Sequence, residues 1–376
     1  MRALYAATLA VAILLPAKPG TAADLDDATY GALNEALIAG HLLPRFADLA
    51  GATALLDATA ERVCAAPDAT GIEELRTAYN MTGDSWEHVA HLRFGPAELL
   101  MRAMRFSFWP DPKDATGGAV LERLEAGDPT MLTTDAIADG SVAAQGLPAF
   151  ERLLYDEGAD AAFLAGDEAA HFRCAYVVAI AGNLDVMAQG LHADWGSLPA
   201  DGVESSGFAA DLMRAGTDPD YYYRSQKDVT VELFKSLYTA VERVADRKLA
   251  RPLGDTIETA MPRLAEAWRS ERSIANIRID IDNARSMYEL AGGFGDAVAG
   301  PAGDAELDAL MRRAFAQILA TADSIEMSLQ AAIADPAERL KIERLALETK
   351  ALKAIMVQRL APALGIPIGF NALDGD

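Results

Sequence analysis

The chain has 376 residues, 51% of them hydrophobic, and a formal net charge of −23. That length supplies one large or two ordinary domains, each with a real core. A surface this acidic disfavours nucleic acid and anionic lipid, and suits cations, basic partners or simply solubility.

The first segment, MRALYAATLAVAILLPAKPGTAADLDD, has a basic Arg2, an apolar run from Ala3 to Leu15, and small residues at Thr21-Ala22-Ala23. This is the pattern of a secretory signal peptide over 1–23, and its apolar run is too short to span a bilayer. Cleavage after Ala22 or Ala23 would remove Arg2 and Lys18 and leave the mature chain two charges more negative. No cysteine follows the run to take a lipid, and no later stretch reads as a membrane span. A periplasmic protein is expected. Cys64 and Cys174 would then sit in an oxidising compartment and could pair; two buried free thiols are the alternative.

Helical periodicity runs almost throughout, and alternating β-branched runs are missing. The expected fold class is all-α, with two helical-bundle domains. Helix is predicted from Asp27 through the Cys64 region with a break, then over 71–94. There Ile72, Leu75, Tyr79, Trp86 and Val89 share a face with Arg93, just before the stop Gly95-Pro96. A cation in a last turn satisfies free carbonyls and favours the helix dipole; alternatively Arg93 answers a buried carboxylate. His88 and His91 point away from that face, and an i,i+3 pair alone is a weak metal signal. The aromatic cluster FSFWPDP over 106–112 is expected to pack under loops, as is YYYR over 221–224.

The next helix begins in QGLPAFERLLYDEG, with Pro148 suited to the first helical position. Leu147, Phe150, Leu153 and Leu154 form one apolar arc, and Glu151 falls inside it. A buried carboxylate is expensive unless it is paired or hydrogen-bonded. Glu151 therefore needs a partner, and Arg93 and Arg272 are the candidates.

Further helices are predicted over Glu168–Trp195, 229–247, 256–292 with a break near Ser270, and 306–333. The Gly-, Pro-, Ser- and Asp-rich stretch 195–223 divides the chain into bundles at 24–205 and 206–376. At the break, Ser270-Glu271-Arg272-Ser273 reads as a capped turn or as polar lining of a pocket between domains. The last helix, DPAERLKIERLALETKALKAIMVQRL, has Asp335 as N-cap, Pro336 in the first turn and Glu338 at capping-box spacing. Leu345, Leu352, Ile355 and Met356 line its inner face. The acidic ending from Asn371 lacks the length and spacing of a calcium loop. Walker loops, dinucleotide fingerprints, nucleophile elbows and haem-attachment motifs are absent.

Taken in order, the exported N-terminus, WEHVAHLRFGP, GLPAFERLL, AWRSERSIANIRIDIDNARSMYELAGG and the ending LGIPIGFNALDGD resemble the imelysin-like family. The resemblance covers essentially the whole mature chain. It implies two bundle-like all-α domains in a periplasmic or surface protein of bacterial iron uptake. The family frame Gly-X-His-X-X-Glu reads here Gly146-Leu147-Pro148-Ala149-Phe150-Glu151, with the histidine replaced by Pro148. A zinc hydrolase needs about three protein ligands and an open position, so loss of that imidazole counts against catalysis.

A binding or accessory protein is expected, with a ligand pocket built from Gly146, Pro148, Glu151, Trp86, Arg93, Ser270 and Arg272. No catalytic residue or metal ligand is assigned. Iron, an iron-bearing ligand or an iron-uptake partner protein would be the occupant; the alternative is a metal-dependent peptidase of the imelysin type.

Overall fold

The computed structural model describes residues 25–198, 204–218 and 220–367. The expected signal peptide and the ending from Asn371 lie outside them. Among the described residues the regular structure is helical, apart from one isolated bridge between Ser197 and Ser206. The fold is all-α. Nine helices matter below: α1 (Asp27–Leu37), α2 (Leu43–Ala65), α3 (Ala69–Glu87), α4 (Gly146–Tyr155), α5 (Glu168–Trp195), α6 (Gln226–Glu242), α7 (Ser273–Glu289), α8 (Ala305–Asp323) and α9 (Pro336–Ile355).

Local chemistry sets their starts. Asp68 accepts the Gly71 N–H at 2.7 Å and opens α3, which then buries Ile72, Leu75, Tyr79 and Trp86. Asp335 accepts from Ala337 and Glu338 and opens α9. Glu338 turns to Lys341 at 2.7 Å, so it does not close the expected capping box.

The helices pack in two groups. In the first, α2 lies against α3 and α5, and α4 against α3 and α5; in the second, α6, α7, α8 and α9 pack on one another. Helix α1 joins the second group by packing on α6, and α3 touches α7 to link the two. Cys64 of α2 and Cys174 of α5 form a disulfide with their Cα atoms 5.3 Å apart. Contrary to expectation, α5 is long and apolar enough to cross a membrane by length and composition. Here it is a core helix: Tyr176, Ile180, Leu184 and Trp195 are fully buried.

Four predicted helices differ. The run predicted over 306–333 splits into α8, which ends at Asp323, and a short helix Leu329–Ala334 that Ser328 caps at the Ala331 N–H. α3 stops at Glu87, not near residue 94, and 88–92 continue as tight turns, with Val89 N–H on the Trp86 carbonyl and Leu92 N–H on that of Val89. The Asn283 amide takes the His88 carbonyl at 3.0 Å, a tertiary bond that replaces the next helical one. The run predicted over 256–292 is helical as α7 only from Ser273. Upstream, the Met261 N–H goes to the Pro252 carbonyl, and Ala267 and Glu271 have φ of 49° and 58°. The run predicted over 229–247 leaves α-helical geometry at Arg243, where Arg243–Leu249 forms a π-helical turn.

Candidate functional site

Helix α4 is placed by steric contacts at its first turn. Gly146 has φ of 75°, and a Cβ there would lie 2.3 Å from the Arg105 carbonyl oxygen and 2.5 Å from that of Phe106. Only glycine fits. Pro148 is the third residue of α4 and still within the first turn, where N–H groups have no intrahelical acceptor. Tyr79 of α3 stacks on Phe150 with ring centres 5.5 Å apart, which fixes the rotation of α4.

That rotation turns Glu151 inward, leaving it 4% exposed. Its partner is Ser270: the backbone N–H and the Oγ hydroxyl donate to the same Oε1, at 2.9 and 2.6 Å. Oε2 has no hydrogen bond among the described residues. Burial raises the Glu151 pKa, while the two Ser270 bonds and the nearby Arg269 oppose it. Ser270 is not a helix cap, because α7 begins after Arg272. It sits in a turn closed by the Arg272 N–H on the Ala267 carbonyl at 3.0 Å. Left-handed residues on both sides of Ser270 persist only where surrounding contacts fix them.

Both expected counter-charges lie elsewhere. Arg93, past the end of α3, is half-exposed and pairs with Glu98 at 3.4 Å. Arg272 pairs with Asp84. The reason is the early stop of α3, which carries Arg93 off the apolar face, and the curl of the 267–272 turn, which aims Ser270 rather than Arg272 at Glu151.

Glu151 lines a cleft between the two helix groups that encloses about 920 Å³, solvent at its mouth included. The first group contributes Tyr79, Trp86, Pro148 and Glu151; the second contributes Trp268, Arg269, Arg272 and Asn276. Trp86 is buried and stacked on Phe106 at 4.4 Å. The 107–112 segment also lines the cleft. Of the aromatic cluster 106–112, only Phe106 is fully buried, so the packed reading fails for the rest. Arg269 lies over the Trp268 ring at 4.2 Å and bonds Asp156 at 2.6 Å.

Deeper in the cleft, Glu87, Glu266 and Asn276 belong to a buried charged cluster. Lys248 lies 2.8 Å from Glu87, 2.6 Å from Glu266 and 2.5 Å from Asp280. The Asn276 amide bonds Glu87 at 3.0 Å and Glu266 at 3.2 Å. Glu87 and Glu266 divide the work. Burial and the neighbouring carboxylates push Glu87 well above the ordinary value, whereas Lys248 and Arg243 overcome burial and hold Glu266 well below it. Sequence reading missed this cluster. The signal was present in Asn276 and Asp280, polar residues at i,i+4 within the Ile274, Ile277 and Ile281 stripe of α7.

The side chains do not fit a hydrolytic zinc centre. Position 148 offers no donor, Oε1 of Glu151 is held by Ser270, and among the described residues no group of three or more His, Cys, Asp and Glu could hold a metal ion. His91 is buried in a neutral form, its pKa pushed down to about 3 chiefly by burial.

An all-α frame of two helix groups, with an interior carboxylate on the cleft between them, defines the class. The family model described as Imelysin (peptidase M75) matches residues 42–356, and the chain belongs to that family. It is 23% identical over 247 residues to the iron-regulated protein A of Synechococcus elongatus, covering 66% of this chain and 61% of that protein. Two solved structures share the fold. An imelysin-like protein from Psychrobacter arcticum superposes with a TM-score of 0.70 at 20% identity, covering 93% of this chain and 99% of the other. A proposed iron-regulated protein A precursor from Parabacteroides distasonis gives 0.71 at 14% identity, covering 89% and 95%.

Proposed function

We propose that this is a periplasmic, non-catalytic binding or accessory protein of bacterial iron uptake, taking an iron-bearing ligand or a partner's segment at the cleft beside Glu151. The observation that carries the reading is the state of Glu151. One carboxylate oxygen is fixed by Ser270 and the other has no hydrogen bond among the described residues, while the frame's histidine position holds Pro148. The anchor of a pocket is retained without the ligand set of a metal centre. Family membership and the name of the Synechococcus elongatus relative support the link to iron. The export pattern at 1–23 supports the location, and the 195–223 connector supports a division of the chain near residue 205, with α1 crossing over to pack on the second group.

Three of the four tryptophans, Trp86, Trp109 and Trp268, line the cleft and report on its occupation. Titration with ferric citrate and with haem should give saturable quenching for at least one of them, weakened in Glu151→Ala. Mass spectrometry should find no stoichiometric metal in the purified wild type. Pro148→His would place an imidazole one turn before Glu151 and should raise divalent-ion affinity without peptidase activity. Stoichiometric zinc in the wild type that is lost in Glu151→Ala would overturn the reading in favour of a metal-dependent hydrolase.

A further inference from the structure

Beside Trp86 lies a second pocket of about 520 Å³, solvent at its mouth included, which shares Trp86, Ser107, Trp109 and Pro110 with the main cleft. Arg93, Arg243 and Arg247 converge on it, and no carboxylate is among its lining residues. In a chain of net charge −23 this concentration of cations needs a cause. Like charges gathered in a partly buried space oppose one another.

Backbone geometry holds the arginines together. Arg243 and Arg247 are four residues apart on the π-helical turn Arg243–Leu249, so they stack on one face while Lys248 points into the core. Such turns are frequent at functional sites. Arg243 is answered from the core side, by the charges of Asp280 and Glu87 and by Glu266 at 3.8 Å, and Glu98 reaches Arg93 at 3.4 Å at the rim. Arg247 has no hydrogen bond or ion pair among the described residues.

Neutral donors complete the set. The Trp86 Nε1–H is buried without a hydrogen-bond partner among the described residues, and the hydroxyl-bearing Ser107 and Thr239 are on the lining. A buried N–H left unpaired is costly unless a ligand or water takes it.

We propose that Arg93, Arg243 and Arg247 form an oxyanion-binding subsite, which takes a carboxylate or phosphate group through guanidinium forks, with Trp86, Ser107 and Thr239 as neutral donors. Guanidinium groups match such oxyanions bidentately, and three of them converging without a lining carboxylate leave an anion as the complementary occupant. Because Trp86 and Trp109 border both pockets, the anionic group can belong to a molecule whose body lies in the main cleft. The subsite itself does not depend on iron.

The test is tryptophan fluorescence and calorimetry on the full-length mature protein with inorganic phosphate and with citrate, in wild type, Arg247→Gln, Arg93→Gln and, as a surface control, Arg344→Gln. Arg247 leaves no orphaned partner, so its variant should melt at the wild-type temperature. Saturable binding that weakens with added salt is expected, with ~10-fold or greater loss in Arg247→Gln and Arg93→Gln and none in the control. Citrate binding tighter than phosphate assigns a polycarboxylate, and the reverse order assigns a phosphate group. No saturable response to either anion, or equal affinity in all four proteins, would overturn the subsite. The ferric citrate and haem titrations of Glu151→Ala read the main cleft separately.

Discussion

Lys248 and Glu151 are both buried charges near the same cleft, and the protein treats them in opposite ways. Lys248 is surrounded by three carboxylates and held at hydrogen-bonding distance to each. Glu151 has no cation at that distance among the described residues and rests on one serine through a single oxygen. A charge answered on every side has nothing left for a visitor, whereas a charge answered on one atom retains an unfilled valence toward the cleft. The first arrangement fixes structure, and the second leaves room for recognition.

The largest way to break the contrast is Lys248→Met. Removing the cation that lies within 2.8 Å of all three acids should cost about 3–5 kcal/mol, as when a buried pair loses one partner, read as a lower midpoint in chemical denaturation. A loss under 1 kcal/mol would mean that the acids do not depend on Lys248. Glu151→Ala and Ser270→Ala should each cost less, about 1–3 kcal/mol, since each strands one side of a hydrogen bond to a buried charge. Their double-mutant cycle should show coupling of roughly 0.5–3 kcal/mol. Additive costs would show that the Ser270 contact does not hold Glu151.

The pH dependence sharpens the same distinction. Glu151 has a raised pKa, so the folded protein binds this proton more tightly than the unfolded chain does. It contributes stability at low pH that is lost as pH rises from 4.5 through its raised value. Glu266, held down by Lys248 and Arg243, does the reverse: its contribution is present above 4.5 and lost as pH falls through its lowered value. Glu151→Gln should therefore flatten the decline in stability above pH 4.5, while Glu266→Gln should weaken the loss in acid. Denaturation midpoints across pH measure both. The smallest effect is expected at Arg93, where an exposed pair contributes ~0–1 kcal/mol. Arg93→Ala should be additive with Glu151→Ala, and coupling between them would revive the pairing that the geometry removes.

The parts of the fold legible in the sequence were those controlled by neighbours along the chain. Asp335, Pro336 and the spacing from Leu345 to Met356 suffice to place α9. The inward turn of Glu151 was legible for the same reason: an acid within an apolar arc must be buried if the helix is. Its partner was not, because Ser270 lies 119 residues away in a turn whose left-handed Ala267 and Glu271 carry no compositional mark. The end of α3 was misread because Asn283, far along the chain, takes the His88 carbonyl. The Lys248 cluster failed to register because its members come from α3, the π-helical turn, the 266 turn and α7, and each alone looks like an ordinary polar residue at a helix surface.

The bridge between Cys64 and Cys174 has a topological consequence. It closes a covalent ring over the 110-residue separation between α2 and α5. Every residue that the first helix group gives to the main cleft, from Tyr79 through Arg152, lies inside that ring. A protease that nicks one exposed loop anywhere within it therefore produces two strands that remain tethered, with both faces of the pocket wall still joined. Only a second cut, or a reductant, would let a piece of the wall diffuse away.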